Sequence, residues 1–132
     1  MIIAVDAAGG DYAPHEIVKG AIKAAEEYNV GIALVGRGSV LRTLLGRHVS
    51  NPNLTIVEAS QVIDCHESPM KAVQSKTDSS IVAGVNLVKE GAASAFISAG
   101  STGAALCAAL LHLGKIKGVE RPAIGIVINL DA

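Results

Sequence analysis

Two glycine-bearing stretches hold the residues best suited to chemistry. The first is Asp6-Ala7-Ala8-Gly9-Gly10-Asp11, directly after an apolar run. Paired glycines let backbone approach a ligand closely. Asp11 stands just before a helical pattern, where it can cap the helix by accepting N–H bonds or orient a donor or cationic partner. A carboxylate does not attract bare phosphate, so Asp11 is not a direct phosphate ligand. The second stretch is Ser98-Ala99-Gly100-Ser101-Thr102-Gly103-Ala104, between another apolar run and an Ala-rich helix. Free N–H groups and the dipole at a helix start favour an anion. Ser98, Ser101 and Thr102 add hydroxyls, and the small residues leave room. Against the plain reading of a capped glycine turn, these residues favour an anion site, phosphate first.

A third group is Lys71, Lys76, Ser79 and Ser80. Ser79 and Ser80 open a helix and can face an anion, with Lys76 supplying positive charge; solvated lysines and ordinary caps are the competing reading. Arg121, before Pro122, can reach the same edge or lie on the surface. Other patterns are weaker. Gly36-Arg37-Gly38 begins like a dinucleotide fingerprint, but Leu41 stands where the third glycine belongs. Ser68-Pro69-Met70-Lys71 matches the S-x-x-K of serine β-lactamases without that family's partner motifs. Asp64-Cys65-His66-Glu67 has four metal-capable side chains, but four adjacent residues cannot converge on one ion. No metal or cofactor is expected. His15, His48 and His112 read as isolated histidines, and no Ser-His-Asp or Cys-His set follows from the spacing.

The elements that position these loops alternate between strand and helix, which argues for an α/β fold with a mostly parallel sheet. Residues 2–5 (Ile-Ile-Ala-Val) form a first strand buried on both faces. Pro14 suits a helix start, and Ile17, Val18, Ala21, Ile22 and Ala25 recur at helical spacing. Residues 32–35 form a second strand. Val40, Leu41, Leu44 and Leu45 mark a helix ending near Gly46, and the Asn51-Pro52-Asn53 turn leads to a third strand at 54–57. Ser68-Pro69 reads as a helix start, and Asp78 as the cap of a helix running to Glu90. Residues 95–98 form a fourth strand, 103–113 a helix, and 123–128 a fifth strand after Pro122. A fifth strand without its following helix points to the N-terminal part, residues 1–132, of a single larger α/β domain.

Composition narrows the function classes. Of 132 residues, 50 % are hydrophobic and only 17 % charged, which suits a packed core and excludes a disordered segment. Aromatics make up 2 %, so small aliphatic side chains must build that core and base-stacking platforms are missing. The net charge of −1 gives no footprint for nucleic acid. Cys65 and Cys107 have no metal or redox spacing and read as free cytosolic thiols. The N-terminus has no signal-peptide pattern, and no uncharged apolar run reaches the ~18 residues of a membrane span.

At these loops the sequence resembles the PlsX-type phosphate acyltransferases. Val5-Asp6-Ala7-Ala8-Gly9-Gly10-Asp11-Tyr12-Ala13-Pro14 is similar to that family's opening signature, continued by Glu16-Ile17-Val18-Lys19-Gly20-Ala21. Lys76-Thr77-Asp78-Ser79-Ser80, Asn86-Leu87-Val88-Lys89-Glu90-Gly91, the stretch from Ser98 to Ala104, and Glu120-Arg121-Pro122-Ala123 follow in family order. The likeness covers essentially the whole chain. Two positions depart from it: Ala8 stands where the family usually has Met, and Ser101 where it usually has Asn.

The resemblance implies a Rossmann-like three-layer α/β/α fold, similar to phosphotransacetylases and isopropylmalate dehydrogenases. It implies transfer of a long-chain acyl group from acyl carrier protein to inorganic phosphate, for bacterial phospholipid synthesis. A homodimer, cytoplasmic or loosely membrane-associated and longer than this chain, is implied as well. Catalytic roles then fall to Asp11, Lys76, Ser101 and Thr102. Phosphate or substrate contacts fall to Gly9, Gly10, Ser79, Ser80, Ser98, Gly100, Gly103 and Arg121. A coenzyme A-dependent phosphate acetyl- or butyryltransferase and a non-catalytic phosphate-binding module are the alternatives. An NAD-dependent dehydrogenase ranks last, because its fingerprint fails after the second strand and is absent after the first.

Overall fold

A computed structural model describes residues 1–128. Four strands and five α-helices alternate among them: β1 (Ile2–Asp6), α1 (His15–Tyr28), β2 (Gly31–Gly36), α2 (Gly38–Leu45), β3 (Leu54–Glu58), α3 (Pro69–Ser75), α4 (Ser80–Lys89), β4 (Ala95–Ile97) and α5 (Thr102–His112), with a 3-10 turn at Gly46–Ser50. The sheet is wholly parallel in the order β3-β2-β1-β4. The chain runs outward from β1 through β2 to β3, then crosses back to place β4 on the other side of β1. The strand order therefore reverses between β1 and β4. In open α/β sheets this switch point is where ligands bind, at the carboxyl ends of the strands.

Side-chain alternation along the strands divides the core between the two faces. Val5, Ile32, Leu34 and Leu54 pack under α1 and α2, with Val18, Ala21, Ala25, Leu41 and Leu45. Ala4, Val35 and Val57 face the other way, toward Ala83, Leu87 and Val88 of α4. A further cluster joins α3, α4 and α5 through Ala72, Val73, Ile81, Val85, Ala104 and Ala108. This is the Rossmann-like α/β arrangement that the alternating sequence pattern implies. The single phenylalanine, Phe96, packs on α4 where a Cβ on Gly84 would overlap its ring. Gly84 thus gives up helix propensity to admit the ring.

Four expectations change. The first strand is not buried on both faces: Ile2 is exposed and Ile3 and Val5 are half-buried, because an open groove runs past Ile3, Val5 and Ile97 on one face. Residues 123–128 form no strand, and Ile124, Ile126, Val127 and Ile128 are exposed. An apolar run becomes a strand only when it pairs in a ladder, and these residues pair with no described strand, the outer edge of β4 included. Asp78 does not cap α4. Ser79 does so, its hydroxyl accepting from the Val82 N–H, while the Asp78 carboxylate takes the N–H and hydroxyl of Ser60. Asp11 does not cap α1, which starts behind Pro14 without a side-chain cap. A backbone turn from Ala13 N–H to the Gly10 carbonyl (3.1 Å) closes that loop instead.

Candidate active site

The loops after β1 and β4 meet at the switch point. Asp6 ends β1 and is 1 % exposed. A buried carboxylate must be hydrogen-bonded, and Asp6 is: one oxygen accepts from the Ala8 N–H (3.1 Å), the other from the Ser98 hydroxyl (2.7 Å). The Ser98 oxygen in turn accepts from the Gly100 N–H (3.1 Å). Bonds across 92 positions of sequence thereby fix the two loops together. Gly9 and Gly100 make that approach possible, because a Cβ on Gly9 would lie 3.0 Å from the Gly100 Cα. Gly10 adopts φ +115°, a conformation that favours glycine.

The β4 loop leads straight into α5. Ser101 is its N-cap, largely buried, with its oxygen accepting from the Ala104 N–H (3.2 Å). That leaves the Ser101 hydroxyl proton available to an acceptor. The N–H groups of Thr102 and Gly103 have no partner inside the helix, since the first turn of any α-helix lacks acceptors. Thr102 is exposed. Gly103 lies against Pro69, where a Cβ would sit 2.8 Å from the ring Cγ, so α5 docks closely on the start of α3. The outcome is an anion-compatible helix start facing the switch point, built from Ser101, Thr102 and Gly103 and held by Ser98, Gly100 and Asp6.

The remaining candidates lie around this centre or apart from it. Asp11 is exposed on the β1 loop. The Lys76 ammonium donates to Glu67 (2.6 Å) and to the Val62 carbonyl (2.8 Å), so it closes the loop between β3 and α3. That bond, followed by one from the Asp64 N–H, holds the Glu67 carboxyl below its ordinary range. The Ser60 hydroxyl, then the Ser60 N–H, do the same for Asp78. Ser79 and Ser80 are 0 % and 1 % exposed, folded beneath the loop that Gln61 ties to them by a backbone bridge. Lys71 and Arg121 are exposed. In the acidic stretch, Asp64 accepts from the His66 N–H (2.8 Å) and Glu67 from the Asp64 N–H (2.7 Å), so both carboxylates shape their own turn. His48 is not isolated, since its ring lies 3.2 Å from Glu26.

Sequence reasoning missed two residues. Asp6 was part of the first loop but received no role. The signal was a carboxylate at the end of an otherwise apolar strand. The second is Glu58, which ends β3 and accepts the Gly38 N–H with both oxygens (3.1 and 3.0 Å). Its carboxylate occupies the start of α2, where a dinucleotide's phosphates would have to sit. The incomplete fingerprint at Gly36-Arg37-Gly38 is thus a helix start already closed by the protein.

The family model for the fatty acid synthesis protein family matches residues 1–130. The chain belongs to that family. Among curated members, it is 52 % identical to a phosphate acyltransferase of Dehalococcoides mccartyi, over 98 % of this chain and 37 % of the relative. It is 53 % identical to a phosphate acyltransferase of Pelotomaculum thermopropionicum, over 100 % of this chain and 41 % of the relative. A phosphate acyltransferase of Trichodesmium erythraeum is 48 % identical over 96 % of this chain and 37 % of its own length. The chain spans about two fifths of the length of these relatives. No helix among its described residues is long and apolar enough to cross a membrane.

Proposed function

We propose that this chain supplies the phosphate-holding part of a phosphate acyltransferase, which moves a long-chain acyl group from acyl carrier protein to inorganic phosphate. The observation that carries this reading is the open start of α5 at the β1–β4 switch point, together with the names of the family relatives. A phosphate oxygen attacks the thioester carbonyl carbon, the C–S bond breaks, and the thiolate leaves with the phosphate's proton. Acyl-phosphate and free carrier thiol are the products, destined for phospholipid synthesis. Transfer is direct, so no enzyme nucleophile is required.

The Thr102 and Gly103 N–H groups, with the Ser101 and Thr102 hydroxyls, hold and aim the phosphate. Donors at the same helix start stabilise the carbonyl oxyanion, each worth about 3–4 kcal/mol where such a donor has been removed. Gly9, Gly10 and Gly100 allow the substrate close to the backbone, and Asp6 and Ser98 keep the loops in register. Asp11 orients a partner at the loop's outer side. Lys76 contributes positive charge by exchanging Glu67 for substrate, Ser79 and Ser80 support the α4 start behind it, and Arg121 meets the carrier or substrate from the surface.

Acyl-phosphate formation by the full-length protein, trapped as hydroxamate with hydroxylamine, tests the reading. It should depend on phosphate and prefer a long-chain acyl carrier protein to acetyl- or butyryl-coenzyme A. Preference for the short coenzyme A esters moves the assignment to a short-chain enzyme. Phosphate binding without thioester consumption makes it a binding module. A homodimer and contact with a membrane surface belong to the same proposal, and light scattering and liposome flotation test them.

A further inference from the structure

A cleft of about 340 Å3 opens at the carboxyl ends of β1, β2 and β3, beside the switch point. Its walls are Ala7 and Ala8 of the β1 loop, Val40 and Leu41 of α2, and Ala59 and Val62 after β3. Most of the backbone donors around it are already used. The Ala7 N–H bonds to the Val35 carbonyl (2.9 Å), that of Ala59 to Gly36 (3.0 Å) and that of Leu41 to Arg37 (3.0 Å). The Ala8 N–H goes to Asp6, that of Gly38 to Glu58, and both Ser60 donors to Asp78. An anion entering here finds few free backbone donors; Arg37, exposed on the wall, is the cation among the lining residues. Hydrocarbon, by contrast, finds small apolar side chains in a cleft at the lower end of ligand-pocket sizes, roughly 300–1,000 Å3. The cleft also shares Ala7 and Ala8 with the loop whose next residue, Gly9, packs on Gly100.

We infer that this cleft is the acyl-chain subsite of the reaction proposed above, on which the inference rests, and that Val40 and Val62 at its rim limit the chain it accepts. Removing a methylene from water is worth roughly a factor of four in affinity. Selectivity should therefore climb with chain length until the cleft is full, then level off.

The test uses the full-length enzyme with butyryl, octanoyl and palmitoyl donors on one carrier, comparing wild type with Val40→Trp and Val62→Trp. Both positions are exposed, so either indole can be added without disturbing the core. In at least one correctly melting variant, kcat/KM for the palmitoyl donor should fall by about tenfold or more, the worth of two methylenes, with the butyryl donor unchanged within about twofold. Parallel loss for every donor, as expected if another segment of the longer protein fills the cleft, overturns the inference and leaves the reaction standing. An unmoved chain-length profile in both variants does the same. No acyl-phosphate from any donor with wild type removes the reaction and the inference together.

Discussion

The starts of α2 and α5 lie at the same sheet edge and carry the same dipole, yet the protein treats them oppositely. At α2, Glu58 reaches across from the end of β3 and covers the helix start with a carboxylate. At α5 the only cap is the neutral Ser101 hydroxyl, and the buried Asp6 beneath it is spent on Ser98 and Ala8. Two helix starts at one sheet edge thus differ in what covers them, a carboxylate at α2 and a neutral hydroxyl at α5. A glycine-rich turn before a helix identifies a phosphate site only when the neighbouring strand ends are examined for such a carboxylate.

The largest effect should come from breaking the open side. Ser101→Ala combined with Thr102→Ala should lower phosphate-dependent turnover of the full-length enzyme by about a hundredfold or more, the scale of losing an oxyanion donor. Loss of the Ser101 cap should cost about 1 kcal/mol of stability. Thermal melting checks that the fold survives, and wild-type turnover by a folded double variant removes both residues from the site. Next comes the joint beneath it. Asp6→Ala strips the Ser98 hydroxyl of its acceptor and should destabilise the protein by about 1–3 kcal/mol, with kcat falling because the loops lose register. Denaturant titration beside steady-state kinetics reads both, and full activity at reduced stability would limit Asp6 to a structural part.

On the closed side, Glu58→Ala should cost about 1 kcal/mol, the worth of a lost helix cap, and leave kcat for long-chain donors near wild type. A collapse of kcat there would erase the contrast between the two helix starts. The smallest effect concerns the loop between β3 and α4. Glu67 and Asp78 are both held below their ordinary values of 4.5 and 3.8. A depressed folded value means that their contribution is complete above the unfolded value and lost as pH falls through the folded one. The melting-temperature difference between wild type and Glu67→Gln should therefore be small and constant above about pH 5 and shrink below the unfolded value. A difference that grows on acidification contradicts the Lys76–Glu67 bond.

The fold was legible where the chain's own pattern decides it. The run Ile2-Ile3-Ala4-Val5 forms the strand its apolar pattern implies, though not one buried on both faces, and the Val18, Ala21 and Ala25 spacing marks the buried face of α1. Legibility ended where a distant partner decides. Glu58 and Gly38 are 20 positions apart and Asp6 and Ser98 are 92 apart, so neither bond leaves a local trace. Asp78 and Ser79 are both good caps, and choosing between them required knowing that Ser60 would claim Asp78. Residues 123–128 have strand composition, but a strand also needs a neighbour in the sheet.

Titration of inorganic phosphate into the full-length protein tests the central claim most directly. Wild type should bind phosphate in calorimetry, Glu58→Ala at least as tightly, and Ser101→Ala/Thr102→Ala far more weakly. Equal binding by all three proteins would contradict placing the phosphate at the start of α5.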